Sequence, residues 1–230
     1  MSSCAGFAVG LREMSFSFEI HPEVISIHIP KTAGSSFHAI LKNHYGWRLK
    51  HIQHQEDIKT WSAGQYYRAD KPYVKAIHGH IRPHKNWKDY YPNAKWVCWL
   101  RNPSDRVISA YHHLKRTQEL GDRNQRLFKQ IQPSLETFIS HPEFENVTQI
   151  YQRFLGNFNP DDFAFIGRTE YFEEDLQQFA RLIGVKNLKP ERVNVGQQKV
   201  QHLPEVMPDL QRILAREHEI YNTFLKAFYP

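Results

Sequence analysis

At 230 residues, the chain has the length of one medium-sized domain with room for a substantial core. Hydrophobic residues make up 40% and aromatic residues 13% of the sequence, which excludes a disordered protein. The 30 lysines and arginines exceed the 24 aspartates and glutamates, and this formal charge of +6 favours anionic ligands. No block of basic residues indicates a nucleic-acid-binding arm, so we expect no nucleic-acid partner.

The N-terminal region indicates neither export nor a membrane anchor. Arg12 and Glu13 interrupt the stretch in which a signal peptide would need continuous apolar residues. No stretch approaches the roughly 18 apolar residues of a membrane span, and two cysteines are too few for a disulfide framework. We therefore expect a soluble, cytoplasmic protein in which residues 1–18 form a loosely ordered extension and residues 19–230 form one domain.

Apolar runs alternate with amphipathic segments along the chain. The runs rich in β-branched and aromatic residues have the composition of buried strands and are Val24–Ile29, Tyr73–His78, Lys95–Leu100 and Phe163–Gly167. The segments with helical periodicity are Phe37–His44, Pro103–Leu120, Ser134–Ser140, Phe144–Leu155, Glu173–Ile183 and the tail from Pro204. This alternation predicts an α/β fold with a central parallel sheet flanked by helices.

The first predicted strand opens the stretch VISIHIPKTAGSSFHAIL, Val24–Leu41. A strand, a tight turn of small residues and a helix start make a cradle for anions, because unpaired N–H groups and the helix dipole point the same way. The stretch does not fit the nucleotide-binding P-loop G-x-x-x-x-G-K-[ST], since Lys31 precedes Gly34 by three positions. On these residues alone, a plain strand-to-helix turn with solvated side chains also stays open.

The order Pro-Lys-Thr-Ala-Gly-Ser-Ser in this turn resembles the 5′-phosphosulfate loop of sulfotransferases, which use 3′-phosphoadenosine 5′-phosphosulfate (PAPS) as the donor. The resemblance implies that the turn holds the 5′-phosphate of PAPS through backbone N–H groups and side chains. The residues concerned are Lys31, Thr32, Ala33, Gly34, Ser35 and Ser36. It also gives Lys31 a second role, the stabilisation of negative charge on the leaving group in the transition state.

A second stretch, Trp96–Leu114, contains an arginine at a predicted strand end, a proline turn and a serine eight residues after the arginine. It resembles the 3′-phosphate motif of sulfotransferases, which implies that Arg101 and Ser109 hold the 3′-phosphate. A guanidinium offers a rigid fork to phosphate, and a hydroxyl completes its coordination. The residues also allow an ion pair between Arg101 and Asp105, and we interpret Arg106 as structural.

The third motif is His78-Gly79-His80, which follows the second predicted strand. It resembles the His-Gly-His element of carbohydrate sulfotransferases that modify uronic acid 2-hydroxyls, and this implies that His80 is the general base. We interpret His78 as a core or supporting imidazole. A metal site of His78, His80 and His84 is an alternative, but no cysteine or carboxylate lies at ligand spacing, so we expect no metal.

Weaker similarities follow downstream. Phe165–Leu182 resembles the Gly-x-x-Glu strand and helix of carbohydrate sulfotransferases, although Arg168 within it could be a surface residue. Asn194, ahead of Lys199, lies where that family carries an asparagine before a loop that covers the donor. We expect the chain to differ from Golgi members of the family, which have a membrane anchor and disulfides, and it has Asn102 where many relatives have aspartate.

Taken together, the motifs resemble a PAPS-dependent sulfotransferase of the carbohydrate type. The resemblance implies a P-loop-like three-layer α/β fold, PAPS as co-substrate and a sugar hydroxyl as the expected acceptor. Acceptor specificity is expected in Trp47–Lys71, predicted as loop with a short helix, and in Gly121–Gln132, predicted as a mobile charged segment. Two alternatives stay open: a P-loop-type small-molecule kinase, which the misplaced lysine disfavours, and a nucleotide-binding module without catalysis.

Overall fold

The computed structural model describes residues 22–65, 73–117, 121–191 and 212–230. The predicted N-terminal extension, residues 1–18, lies outside the described residues. The same holds for Asn194, for Lys199 and for the first part of the tail from Pro204. None of the described helices is long and apolar enough to cross a membrane.

Five parallel strands form one sheet in the order β2-β3-β1-β4-β5. The strands are β1 (Val24–Ile27), β2 (Leu49–Ile52), β3 (Ala76–Gly79), β4 (Lys95–Leu100) and β5 (Phe165–Arg168). The first strand occupies the centre, where Ile27 pairs with Gly79 of β3 on one side and with Cys98 of β4 on the other. The predicted α/β fold with a central parallel sheet is therefore confirmed.

Helices connect and flank these strands. They are α1 (Gly34–Tyr45), α2 (Gln55–Ser62), α3 (Asn86–Tyr90), α4 (Pro103–Thr117), α5 (Arg123–Ile131), α6 (Leu135–Ser140), α7 (Glu145–Thr148), α8 (Ile150–Leu155), α9 (Phe172–Leu182) and α10 (Ala215–Phe228). The start of α4 has the predicted cap, because the side-chain oxygen of Asn102 accepts a hydrogen bond from the N–H of Ser104 at 3.0 Å.

The sheet is buried on both faces, which makes three layers. Successive residues of a strand point to opposite faces of the sheet. In this chain, the side chains on both faces are mostly apolar. Ile25 and Ile27 pack on one face with residues of α8 and α10, whereas Val24 packs on the other face with residues of α1 and α9. This explains why the strands read as continuous apolar runs rather than as alternating ones.

The segments between the motifs contain elements that the sequence did not predict. The edge strand β2 lies in Trp47–Lys71, which was predicted as loop with a short helix; the helix α2 is there, but the strand was missed. Leu49–Ile52 has only two apolar residues and is largely half-buried, so its pattern is too weak to predict a strand. Gly121–Gln132, predicted as mobile, contains α5, whose start is fixed by a capping box between Asp122 and Gln125.

The predicted helix Phe144–Leu155 is divided in the structure. It breaks at Gln149, which separates α7 from α8. The cause lies in α4: the buried guanidinium of Arg106 donates hydrogen bonds to the carbonyls of Val147 at 2.9 Å and Thr148 at 2.8 Å. In a continuous helix these carbonyls would accept from N–H groups four residues on, so a long-range contact replaces the helical bonds.

Candidate active site

Three of the predicted site residues follow the carboxyl ends of neighbouring strands. Lys31 follows β1, His80 follows β3 and Arg101 follows β4, and these are the three central strands of the sheet. Parallel strands present their carboxyl ends at one edge, and a ligand binds there where the chain order changes direction. The strand order therefore brings residues from three separate motifs to one edge of the sheet.

The turn after β1 has a strained backbone. Lys31 and Ala33 adopt the left-handed conformation, with φ of 70° and 63°, which residues other than glycine rarely occupy. Ala33 precedes the first residue of α1, and within the described residues no side chain caps this helix start. A strained turn before an uncapped helix N-terminus presents backbone N–H groups to an anion. The hydroxyl of Thr32 points away, since it donates to the carbonyl of Ile29 at 2.8 Å.

Positive charges converge beside this turn. Burial, together with the nearby charges of Arg116 and Arg101, lowers the pKa of Lys31 to about 8. Burial also lowers the pKa of His113 in α4, and Lys31 and Arg116 add to this effect. An anion between these groups would relieve their mutual repulsion, so the residues fit a ligand with phosphate groups.

The two residues predicted to hold the 3′-phosphate, Arg101 and Ser109, are not joined by a contact among the described residues. Arg101 lies at the junction of β4 and α4, half-buried, and within the described residues it forms no ion pair with Asp105. Ser109 lies two turns into α4, and no hydrogen bond in the described residues joins it to Arg101. Arg106 is fully buried and bonded to the backbone, which agrees with its structural interpretation.

The ring of His80 has a defined tautomer. Its Nδ1 lies 2.9 Å from the carbonyl oxygen of His28, and because a carbonyl can only accept, Nδ1 carries the proton. The Nε2 atom then has a free lone pair. Although the residue reaches the surface, its ring stacks on that of His28 at 4.0 Å between centroids. Desolvation lowers the pKa of His80, and the hydrogen bond to the carbonyl opposes this shift.

His80 belongs to a cluster of five imidazoles. His28, His51, His78 and His80 extend the face of the sheet that α1 covers, because they lie at alternate positions along three neighbouring strands. His38 approaches from α1, with its ring centroid 3.9 Å from that of His51 and 5.4 Å from that of His78. We call these five residues the histidine cluster.

The histidine cluster surrounds a cavity of about 540 Å³. Its lining consists of the five histidines together with Ser35, Ala39, Lys42, Ile52 and Gln53. Ser35 belongs to the turn after β1. This turn therefore lines the same cavity as His80, the histidine whose Nε2 has a free lone pair. Gly34 makes this arrangement possible, because a Cβ atom there would lie 1.8 Å from the ring of His28.

The cluster is neutral at pH 7. Burial lowers the pKa of His28, His38, His51 and His78, and repulsion between the imidazoles adds to the shift for most of them. His78 is 1% exposed and shares a hydrogen bond of 2.9 Å between its Nδ1 and the hydroxyl of Ser26. Its Nε2 is buried and has no hydrogen-bond partner among the described residues.

The histidine cluster does not form a metal site in the described part of the chain, where no group of three or more histidine, cysteine, aspartate or glutamate side chains could hold a metal ion. The rings of His28, His78 and His80 stack face to face, and stacked rings do not direct their nitrogen atoms at one point. His84, the third ligand of the alternative metal site, packs against Gly64 beyond α2.

The sequence profile of the sulfotransferase family matches residues 15–212, most of the chain. The chain belongs to the sulfotransferase family. It is therefore a PAPS-dependent sulfotransferase, and the kinase alternative is excluded. None of the curated protein sequences matches the chain.

Two solved structures resemble the sulfotransferase. A crystal structure of a sulfotransferase from Alicyclobacillus acidocaldarius has 16% identity and a TM-score of 0.47, and the alignment covers 90% of this chain and 95% of that one. The structure of mouse sulfotransferase SULT7A1 complexed with PAP has 12% identity and a TM-score of 0.42, with 86% of this chain and 64% of that one covered. The fold assignment rests on the strand order of this chain.

Several residues of this sulfotransferase site were missed in the sequence. His28, His38 and His51 join the cluster, and Arg116 joins the charges around Lys31. One signal was present for His28: it stands two residues after Ser26, on the same face of its strand, as His80 stands two residues after His78. His51 offered no such signal, because its strand was not predicted.

Proposed function

We propose that this sulfotransferase transfers the sulfuryl group of PAPS to a hydroxyl of a sugar. The observation that carries the proposal is the shared cavity: Ser35 of the donor turn and the proton-accepting histidine, His80, line the same space. In-line transfer requires donor and base on opposite sides of the acceptor oxygen, within reach of one another.

The donor is held by two sets of residues. The turn Lys31–Ser36 and the start of α1 bind the 5′-phosphate, with Thr32 contributing its backbone rather than its hydroxyl. Arg101 and Ser109 bind the 3′-phosphate. The convergence of cationic side chains at Lys31 supports this assignment, because a bound phosphate would offset their repulsion. PAPS itself supplies the sulfuryl group.

His80 acts as the general base. As the acceptor oxygen attacks sulfur, its proton passes to Nε2 of His80, which carries no proton in the neutral tautomer that the hydrogen bond of Nδ1 to the backbone selects. A new oxygen–sulfur bond forms while the bond between sulfur and the bridging phosphate oxygen breaks. Negative charge grows on that bridging oxygen, and protonated Lys31 stabilises it more in the transition state than in the ground state.

The lining of the cavity supports a sugar as the acceptor. At about 540 Å³ the cavity has the size of a small-molecule site, and its walls offer imidazole nitrogens, the amide of Gln53, the hydroxyl of Ser35 and the ammonium of Lys42. Sugar hydroxyls both donate and accept hydrogen bonds, so they match a lining of neutral imidazoles. A cytoplasmic location, expected from the sequence, stays a prediction.

The first test is calorimetric titration with adenosine 3′,5′-bisphosphate and, separately, with Mg²⁺-ATP. Tight bisphosphate binding that Arg101→Ala weakens, with much poorer ATP binding, would support the donor site. No bisphosphate binding, or a preference for Mg²⁺-ATP, would contradict it.

The second test is transfer of radiolabelled sulfate from PAPS to a panel of monosaccharides and oligosaccharides. Labelled sugar with the wild type but not with His80→Ala would support the base. Equal transfer by both proteins would contradict the assignment of His80, and binding of the bisphosphate without transfer to any sugar would contradict the sugar acceptor.

A further inference from the structure

We infer that Tyr151 is a positioning residue for Arg101, through which it controls recognition of the donor's 3′-phosphate; this inference rests on the proposed role of Arg101. The hydroxyl of Tyr151 accepts a hydrogen bond from the N–H of Arg101 at 2.8 Å and donates one to the carbonyl of the same residue at 2.6 Å. One side chain therefore holds both backbone polar groups of the arginine.

The neighbours of Arg101 are held in the same way. Thr169 donates its hydroxyl proton to the carbonyl of Leu100 at 2.9 Å, and the carboxylate of Glu170 accepts from the N–H of Asn102 at 2.8 Å. Three consecutive residues at the end of β4 are thus bonded to side chains from outside their own element. A backbone fixed at three successive positions loses little further freedom when a ligand binds, which favours affinity.

The position of Tyr151 depends on a break in its helix. Its N–H and that of Gln152 donate to the two carboxylate oxygens of Glu217, each at 2.8 Å. The carbonyls that these N–H groups would reach in a continuous helix are occupied by Arg106, as described above. Glu217 and Arg106, both buried, thereby replace two helical hydrogen bonds. The helix is interrupted there, and α8 begins with Tyr151 in its first turn.

The network around Tyr151 is buried. Tyr151 and Arg106 are each 0% exposed, and Glu217 is 1% exposed. The guanidinium of Arg106 lies 5.7 Å from the centre of the Tyr151 ring. Burial raises the pKa of the Tyr151 hydroxyl, which keeps it a proton donor to the carbonyl of Arg101. Glu217 belongs to α10, so the C-terminal helix supports the 3′-phosphate site through this carboxylate.

The test compares two ligands that differ by the 3′-phosphate, adenosine 3′,5′-bisphosphate and adenosine 5′-monophosphate. Tyr151→Phe keeps the ring and removes the hydroxyl, and we expect it to weaken bisphosphate binding about tenfold while monophosphate binding changes less than about twofold. In the Arg101→Ala background, Tyr151→Phe should add less than about twofold, because the two residues act through one contact. With PAPS, the KM for the donor should rise more than kcat falls.

The matched control is Tyr229→Phe, which removes another tyrosine hydroxyl that donates to a strand carbonyl, that of Ile166 in β5, at 2.6 Å. It should leave both affinities unchanged. If Tyr151→Phe does not fold, Thr169→Val removes a bond of the same segment from a half-buried position and should weaken bisphosphate binding about threefold.

The outcomes separate this inference from the proposed function. Equal weakening of both ligands by Tyr151→Phe, or full additivity with Arg101→Ala, would overturn the positioning role and leave the role of Arg101 intact. If Arg101→Ala itself does not affect bisphosphate binding, the assignment of the 3′-phosphate site fails, and the positioning role fails with it.

Discussion

The turn after β1 and the histidine cluster are neighbours that the chain builds differently. The turn presents charge: Lys31 lies near Arg101 and Arg116, and Lys31 and Ala33 adopt the left-handed conformation before an uncapped helix start. The histidine cluster presents neutral imidazoles, because burial lowers their pKa values. A charged region suits a donor with three acidic groups, and a neutral region suits an acceptor whose proton must be removed at pH 7. We therefore propose that the turn binds the donor and that the histidine cluster accepts the proton.

The largest expected effect is a loss of kcat without a loss of PAPS affinity, which would distinguish the histidine cluster from the turn. His80→Ala should lower kcat by about 10²–10⁴-fold, the usual contribution of a general base, while the KM for PAPS stays within about twofold. Steady-state rates at saturating PAPS measure this. The control is His54→Ala, an exposed histidine before α2 whose side chain makes no cap hydrogen bond in the described residues. A loss of PAPS affinity that matches the loss of kcat would show that the two regions are not separate.

Acid should lower the stability of the folded protein through the histidine cluster. The pKa of His78 is lowered in the folded protein, so the unfolded chain binds a proton first as the pH falls below about 6.5, and stability falls with it, by at most about 1.4 kcal/mol per pH unit for each such histidine. Urea unfolding at pH 7.5 and 5.5 measures the change.

The matched variants are His78→Gln, which should show a shallower loss of stability at acid pH, and the exposed His54→Gln, which should behave as the wild type. An identical pH dependence for all three proteins would mean that protonation of His78 does not govern acid unfolding.

Gly34→Ala probes the contact between the regions. A Cβ atom at this position would lie 1.8 Å from the ring of His28 and would force that ring, and His80 stacked on it, to move. We expect a loss of about 1–3 kcal/mol in unfolding free energy together with a lower kcat. Ser35→Ala, one position on and exposed, should keep wild-type stability. Unchanged stability of Gly34→Ala would contradict the close packing of turn and cluster.

The smallest expected effect is the pH dependence of bisphosphate affinity that Lys31 causes, and it reports on the turn alone. With a pKa of about 8, Lys31 loses its charge between pH 7 and 9, so bisphosphate affinity should fall by roughly tenfold over this range. Lys31→Arg keeps its charge throughout and should show a flatter profile. Calorimetry at three pH values decides it, and parallel profiles for the two proteins would assign the pH dependence to another group.

How much the sequence predicts differs between the two regions for a physical reason. The turn after β1 is contiguous in the chain, so Lys31–Ser36 could be proposed as a phosphate-binding turn from the order of its residues. The strand β4 is also local, and it was predicted with its observed bounds. The histidine cluster is assembled from four elements: His28 and His80 meet only because β1 and β3 pair in parallel. Pairing of distant strands is set by tertiary packing, which local propensity does not encode.

The edge strand and the broken helix show the same limit. Leu49–Ile52 has little apolar pattern, and it forms a strand because β3 offers it a partner. The residues around Gln149 have helical periodicity, but a buried arginine and a buried carboxylate from remote helices take their hydrogen bonds. In both places a long-range contact overrides the local preference, and in the second it positions Tyr151 against Arg101.

The central claim, that donor binding and proton transfer reside in adjoining but separate regions, is tested most directly by one set of titrations. Adenosine 3′,5′-bisphosphate is titrated into the wild type, Arg101→Ala and His80→Ala. The account predicts that Arg101→Ala weakens binding about a hundredfold, as expected for loss of a charged phosphate contact, whereas His80→Ala binds as the wild type does. Bisphosphate binding that depends on His80 and not on Arg101 would contradict it.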